Sequence, residues 1–270
     1  MYKAVFIDID GTLRDNKKHI SKRTIEAIKK VTEKGILVIM CSGRPRQYTE
    51  NISKKCFASK YIIASSGANI YDYEENKTMY VNPMDKEEVI KLYEIAESEN
   101  LIFVMNVGEG RVVNKIEHPY EDKLLDEDIR DFVYKNDIFQ CMIEDESYEK
   151  VKRVISKIEK LEKVEIRNRS KSLFDPNYQI KGNLYCDISD ANTNKGDAVE
   201  KLCKMLNINP KDAVAIGDDV NDLSMFEKVG YSVAVANARD DIKQYADEIT
   251  SSNEKNGVAL FLEKMLKEMK

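Results

Sequence analysis

Short apolar runs alternate with stretches whose apolar residues recur at helical spacing, and this rhythm is clearest at the two ends of the chain. Ala4–Ile7 reads as a short buried strand that ends in Asp8-Ile9-Asp10-Gly11. From Ser21 to Lys34, Ile25, Ile28 and Val31 fall on one helical face, with Ser21 placed as an N-cap and Gly35 as the glycine that closes the helix. Ile36–Met40 is a continuous apolar strand followed by Ser42-Gly43-Arg44-Pro45. A helix over Pro45–Lys54 and a strand over Tyr61–Ala64 come next. Strand and helix in alternation predict a parallel sheet covered by helices. The same alternation returns near the end, with helix Lys195–Leu206, strand Ala213–Ile216 and helix Asp222–Lys228. Strand Ser232–Val235 and helices Ile242–Ala246 and Val258–Met269 follow, so both ends fit one sheet.

The middle of the chain carries more charge and longer alternating strands. Asp85–Ser98 and Ser147–Leu161 have the pattern of amphipathic helices. Leu101–Val107, Arg111–Ile116, Phe139–Ile143, Val164–Arg167 and Leu184–Ile188 have the pattern of strands. Gly108 and Gly110 between the first two strands predict a hairpin. The expected fold is therefore α/β: a Rossmann-like, doubly wound parallel-sheet core over residues 1–82 and 185–270, with an inserted α+β domain over residues 83–184.

Composition narrows the function classes. The chain has 270 residues, enough for about two domains. Lys and Arg total 43 against 48 Asp and Glu, a net charge of −5 that leaves no electrostatic footprint for nucleic acid or anionic lipid. The longest apolar run is Ile36–Cys41, far short of the ~20 residues a membrane helix needs. Asp8 interrupts the first apolar run too early for an export signal. The five cysteines, Cys41, Cys56, Cys141, Cys186 and Cys203, form no CxxC and read as small buried apolar residues. The expected compartment is the cytoplasm.

The candidate chemistry sits at strand ends, where open α/β sheets bind ligands. Asp8 and Asp10 are two apart on an extended segment and so share one side; Gly11 and Thr12 form a turn whose amides could face an anion. Alone, such a pair is more often a surface turn in which Asp caps the next segment. Gly217-Asp218-Asp219-Val220-Asn221-Asp222 changes the balance, because it also follows an apolar strand and opens a helix. Carboxylates gathered from two strand ends repel unless a cation joins them, and hard oxygen ligands suit Mg²⁺. A solvated acidic loop is the alternative. Ser42 and the Gly43 amide at the end of a third strand can hold phosphate oxygens, and Lys195 at a helix start can screen a phosphate. Each of these two stations is weak by itself.

In order, DIDGTL, SGRP, NKG and GDDVND resemble the four motifs of the haloacid dehalogenase superfamily. An α/β insert between the second and third motifs resembles the Cof-type phosphatases with a type IIB cap. The likeness extends through ISKRTIEAIKKVTEKGI and through the tail from AIGDDVNDLSMF to SSNEKNGVA. Three positions depart from the family pattern: Arg14 after DGTL, Ser66 where Asn is usual, and Asp187 near a position that is often Glu.

The resemblance implies hydrolysis of a phosphate monoester through an aspartyl-phosphate. It implies Asp8 as nucleophile and Asp10 as the acid and then the base. It places Mg²⁺ between the Asp8 carboxylate, the Asp10 carbonyl and Asp218. Ser42, Gly43, Lys195, Asn221 and the Ile9 amide would bind phosphoryl oxygens; Asp222 would orient Lys195, with Asp219 beside it or exposed. The implied partner is a small phosphorylated metabolite, with no nucleic acid and no membrane. Phe174, Asp175 and Tyr178 are candidates to meet a ligand, or equally to pack the cap. A phosphotransferase or sugar phosphomutase shares the first half-reaction. A phospho-receiver module shares the acidic cluster and the Lys, but it lacks a counterpart of Asp10 and a cap of roughly 100 residues. A catalytically silent binding protein is the remaining alternative.

Overall fold

The structure, a computed structural model, describes residues 2–108, 110–115, 123–170, 173 and 183–268. The chain divides into two compact units, Met1–Val81 with Asn194–Lys270, and Asn82–Thr193.

The first unit begins with β1 (Ala4–Ile7), α1 (Lys22–Glu33), β2 (Leu37–Cys41), α2 (Arg46–Lys55), β3 (Tyr61–Ala64), β4 (Asn69–Asp72) and β5 (Lys77–Val81). The second unit comprises α3 (Lys86–Glu97), β6 (Ile102–Val107), β7 (Gly110–Val113), β8 (Lys123–Leu124), α4 (Ile129–Lys135), β9 (Gln140–Asp145), α5 (Tyr148–Ile158), β10 (Val164–Arg169) and β11 (Leu184–Asp190). The chain then returns to the first unit with α6 (Lys195–Met205), β12 (Ala213–Gly217), α7 (Leu223–Lys228), β13 (Tyr231–Val235), α8 (Asp240–Lys243), β14 (Glu248–Thr250) and α9 (Gly257–Glu268).

The sheet of the first unit has the order β14-β13-β12-β1-β2-β3-β4-β5. Its first six strands run parallel, and β4 and β5 add an antiparallel edge. β1 and β12 lie at its centre and every residue of both is buried, which is why their sequences are apolar without alternation. Each fully buried Ile or Phe here contributes roughly 1.5–3 kcal/mol relative to exposure. Helix α1 starts where expected: the Ser21 hydroxyl accepts from the Thr24 amide at 3.1 Å, and Ala27, Ile28 and Val31 face the core.

The second unit has the sheet order β10-β11-β9-β6-β7-β8. Helices α3 and α5 cover one face, where Leu92, Ala96, Val151 and Ile155 pack with Phe103, Ile143 and Cys186. Strands β6 and β7 pair antiparallel with Val107 opposite Gly110. Strand β11 pairs with β9 and β10, so the return to the first unit comes at Asn194 and not at residue 185. Hydrogen bonding to the second sheet fixes that boundary, nine residues beyond the point where the sequence pattern put it. The candidates Phe174, Asp175 and Tyr178 lie outside the described residues.

Candidate active site

Parallel pairing sets Ile7 opposite Ile216, so the segments that leave β1 and β12 emerge side by side at the carboxyl edge of the sheet. The Asp8 amide still donates to the Ile216 carbonyl at 3.0 Å, after which both chains turn away from the ladder. Asp8 and Asp218 are nearly buried there. Gly11 makes the turn at φ +90°, and a Cβ at that position would lie 2.4 Å from an Asp218 oxygen. The turn also presents the Thr12 hydroxyl, which donates to Asp218 Oδ1 at 2.7 Å.

Lys195 is the first residue of α6, whose N-cap Asn194 accepts from the Asp197 amide. Gly196 lets α6 approach α7 closely; a Cβ there would sit 2.0 Å from the Ser224 carbonyl oxygen. Lys195 is 1% exposed, and its Nζ donates to Asp8 Oδ1 and to Asp222 Oδ1, both at 2.6 Å. Asp222 is fully buried, and its second oxygen accepts from the amides of Asp218 and Asp219 at 2.9 and 3.1 Å. Asp222 is therefore committed to holding Lys195 and the turn.

Burial drives the electrostatics. It pushes the Asp8 carboxyl well above the usual carboxylate range; Lys195 opposes that shift, and Asp222 and Asp218 reinforce it. Burial and then Asp222 push Asp218 up to about 7. Burial alone would lower the Lys195 ammonium, but Asp222 and Asp8 outweigh it and hold the group charged. Oxygens of Asp8, Asp218 and Asp222 all lie within 4.8 Å of one another. If all three carboxyls ionise, they carry two more charges than the one ammonium of Lys195 can balance, which is why burial holds protons on Asp8 and Asp218 when no cation is bound. A divalent cation held by oxygen ligands fits that set, with Asp8 and Asp218 as the carboxylates that would hold it, since Asp222 is committed to Lys195 and the turn.

Asp10 stands apart from this buried group. It is half-exposed, and Arg44 Nε donates to its Oδ2 at 2.7 Å while an Arg14 NH group reaches its Oδ1 at 3.4 Å. Burial would raise the Asp10 carboxyl, but Arg44 and then Arg14 outweigh it and hold it below the ordinary range.

The other sequence candidates gather around the same edge. Ser42 is buried after β2 and its hydroxyl accepts from the Arg44 amide at 3.1 Å, so the Ser42–Arg44 loop folds back on itself beside half-buried Gly43. Ile9 is fully buried, and its carbonyl accepts from Leu13 and Arg14. Asn221 lies half-buried in the turn that precedes α7. Asp219 caps that turn, bonding the Val220 amide at 2.8 Å, and lies 3.8 Å from Arg239. Ser66 occupies a left-handed conformation at φ +55°, which Asn adopts more readily than Ser; its amide donates to the Ser42 carbonyl. Asp187 lies on β11, in the second sheet. The sequence suggests only the amide of Thr12, not its hydroxyl, and gives no role to Arg44 or Arg14. Thr12 and Arg44 lie inside the motifs DIDGTL and SGRP, and Arg14 directly follows the first, where it departs from the family pattern.

The chain is similar to several known proteins. The model of the haloacid dehalogenase-like hydrolase family matches residues 5–262. The phosphatase YwpJ of Bacillus subtilis is 28% identical over 286 residues, covering 98% of this chain and 100% of that protein. The 5-amino-6-(5-phospho-D-ribitylamino)uracil phosphatase YcsE of the same organism is 25% identical and covers 95% of this chain and 93% of its own. A haloacid dehalogenase-like hydrolase structure from Bacteroides thetaiotaomicron superposes with a TM-score of 0.83 at 27% identity, over 98% of this chain and 100% of that one. Among the described residues no helix is long and apolar enough to cross a membrane.

Proposed function

The chain belongs to the haloacid dehalogenase-like hydrolase family, and from that premise we propose that this phosphatase hydrolyses a small phosphorylated metabolite through an aspartyl-phosphate on Asp8. The observation that carries the reading is the buried Asp8 carboxylate, held by Lys195 at 2.6 Å next to Asp218 at the carboxyl edge of a parallel sheet. One Asp8 oxygen bonds Lys195, which leaves the other to attack phosphorus. In the first step the Asp8–phosphorus bond forms and the ester P–O bond breaks. The leaving oxygen takes its proton from Asp10. In the second step water attacks the phosphorus, gives its proton to the Asp10 carboxylate, and frees Asp8 and inorganic phosphate. Arg44 and Arg14 favour the carboxylate form that the second step needs; the first step starts from the protonated form, which Asp10 reaches by taking a proton from solvent. Mg²⁺ held by Asp8, Asp218 and the Asp10 carbonyl would neutralise the phosphoryl charge. Ser42, the amides of Gly43 and Ile9, Asn221 and Lys195 bind the phosphoryl oxygens. A relative that acts on a phosphoribitylamino compound supports a phosphorylated sugar or sugar-like alcohol as the substrate class. Five free, buried cysteines suit a reducing compartment, the cytoplasm.

A phosphate-release screen over phosphorylated metabolites with Mg²⁺ tests this reading. Free phosphate is expected from at least one sugar or polyol phosphate, none after EDTA, and none from Asp8→Asn. Loss of the nucleophile should lower turnover roughly 10⁴-fold or more. Full activity in Asp8→Asn, or transfer of the phosphoryl group to an acceptor with no phosphate freed, would overturn it.

A further inference from the structure

We propose that Arg14 is a positioning residue for Asp10, acting together with Arg44 across the ring of Tyr48. The inference rests on the phosphatase reading of the same site. The Arg14 guanidinium carbon lies 5.6 Å from the centre of the Tyr48 ring and that of Arg44 lies 5.4 Å from it. Asp10 joins the two cations: Arg44 Nε donates to Oδ2 at 2.7 Å, and an Arg14 NH group to Oδ1 at 3.4 Å. Each carboxylate oxygen thus has its own guanidinium, and one aromatic ring packs against both.

Arg14 is itself firmly placed. Its Nε donates to the Lys18 carbonyl at 2.8 Å, its own carbonyl accepts from the Asn253 side chain at 2.9 Å, and its side chain is only 12% exposed. Lys18, four residues on, is a further cation that acts on Asp10. Arg44 belongs to the loop that carries Ser42 and Gly43, so a phosphoryl group bound there competes with Asp10 for Arg44. Arg14 meets the other carboxylate oxygen, Oδ1, and its own anchor on the Lys18 carbonyl does not involve the Ser42–Arg44 loop, so that contact can persist. Asp10 then stays oriented while it transfers its proton. A displacement of that group by about 1 Å is enough to slow such a step severely.

The test uses the full chain with Mg²⁺ and compares wild type, Arg14→Ala and Arg14→Lys on p-nitrophenyl phosphate and on β-glycerophosphate. The value of kcat/KM reports the steps up to departure of the leaving group. p-Nitrophenolate departs without help, whereas the glycerol oxygen needs the proton of Asp10. Arg14→Ala should lower kcat/KM roughly tenfold more on β-glycerophosphate than on p-nitrophenyl phosphate, through kcat and with KM little changed. Arg14→Lys should show a smaller deficit of the same selectivity. Equal losses on both esters, or a change confined to KM, would overturn the role given to Arg14. If Arg14→Ala fails to fold by circular dichroism, Arg14→Lys decides by the same criterion. A wild type inert toward every phosphomonoester tried overturns the phosphatase reading, and Arg14's part with it; equal losses in an active enzyme overturn Arg14's part alone.

Discussion

Two ionic groups share the edge of the sheet, with nearly the same contact distances and different surroundings. Lys195 bridges Asp8 and Asp222 at 2.6 Å with side chains no more than 8% exposed. Arg44 meets Asp10 at 2.7 Å with side chains 29% and 38% exposed, and Arg14 adds a longer contact. Distance alone would rank them equal. Solvent separates them, because a buried charge has no substitute for its partner and an exposed one has water. The buried triad is thus a fixed frame that sets where the nucleophile stands. The exposed pair can exchange partners, which suits a carboxylate that must take up and release a proton within each catalytic cycle.

The largest expected effect strikes the frame. Lys195→Met leaves Asp8 and Asp222 buried without their cation and should cost about 3–5 kcal/mol of unfolding free energy. Arg44→Met should cost at most about 1 kcal/mol, since water can solvate Asp10 in its place. Urea unfolding of both variants measures the difference. Equal destabilisation would erase the distinction between the two groups.

The next effect isolates Asp10, the carboxylate of the more exposed group. Asp10→Asn keeps the backbone carbonyl and the side-chain size but can neither donate the proton nor accept it. Turnover of a sugar phosphate should fall ~10²–10⁴-fold. With p-nitrophenyl phosphate the first step partly survives and the second lacks its base. A burst of p-nitrophenol followed by slow turnover is expected, with the mass of one phosphoryl group added to the quenched protein. Near wild-type turnover of sugar phosphates by this variant would remove Asp10 from the chemistry.

Much of the frame was legible because its residues sit at strand ends that the apolar runs mark. β1, β2 and β12 are short, apolar and almost wholly buried, and the motif residues follow them directly. Strands β4, β5 and β14 were not legible. Asn69-Ile-Tyr-Asp and Glu248-Ile-Thr are too short and too polar at their ends for a periodic signal, and they exist through pairing at the sheet's margins. Helix α4 has seven residues, about two turns, with Val133 as its buried residue. The contacts of Asp10 were hidden for another reason: Arg14 and Arg44 are 30 residues apart, and only the packing around Tyr48 brings them to one carboxylate. The pull of Asp222 on Lys195 spans 27 residues and was readable because both belong to recognisable motifs.

The smallest expected effect tests whether the frame is complete without a cation. Asp218 titrates at about 7 in the folded chain, against roughly 3.9 for an unperturbed Asp. The folded state therefore holds a proton that the unfolded state has lost between about pH 4 and pH 7. The stability associated with that proton is full below the lower value and is lost as pH rises through the upper one. Mg²⁺ binds the ionised carboxylates and competes with the proton, so its stabilisation should grow over the same range. At a hundredfold excess over its dissociation constant the gain is about 2.7 kcal/mol. Melting temperatures with Mg²⁺ and with EDTA should differ more at pH 8 than at pH 5, and Asp218→Asn should abolish most of the difference. A shift of the same size at both pH values would mean that the ion binds somewhere other than the carboxylates of Asp8 and Asp218.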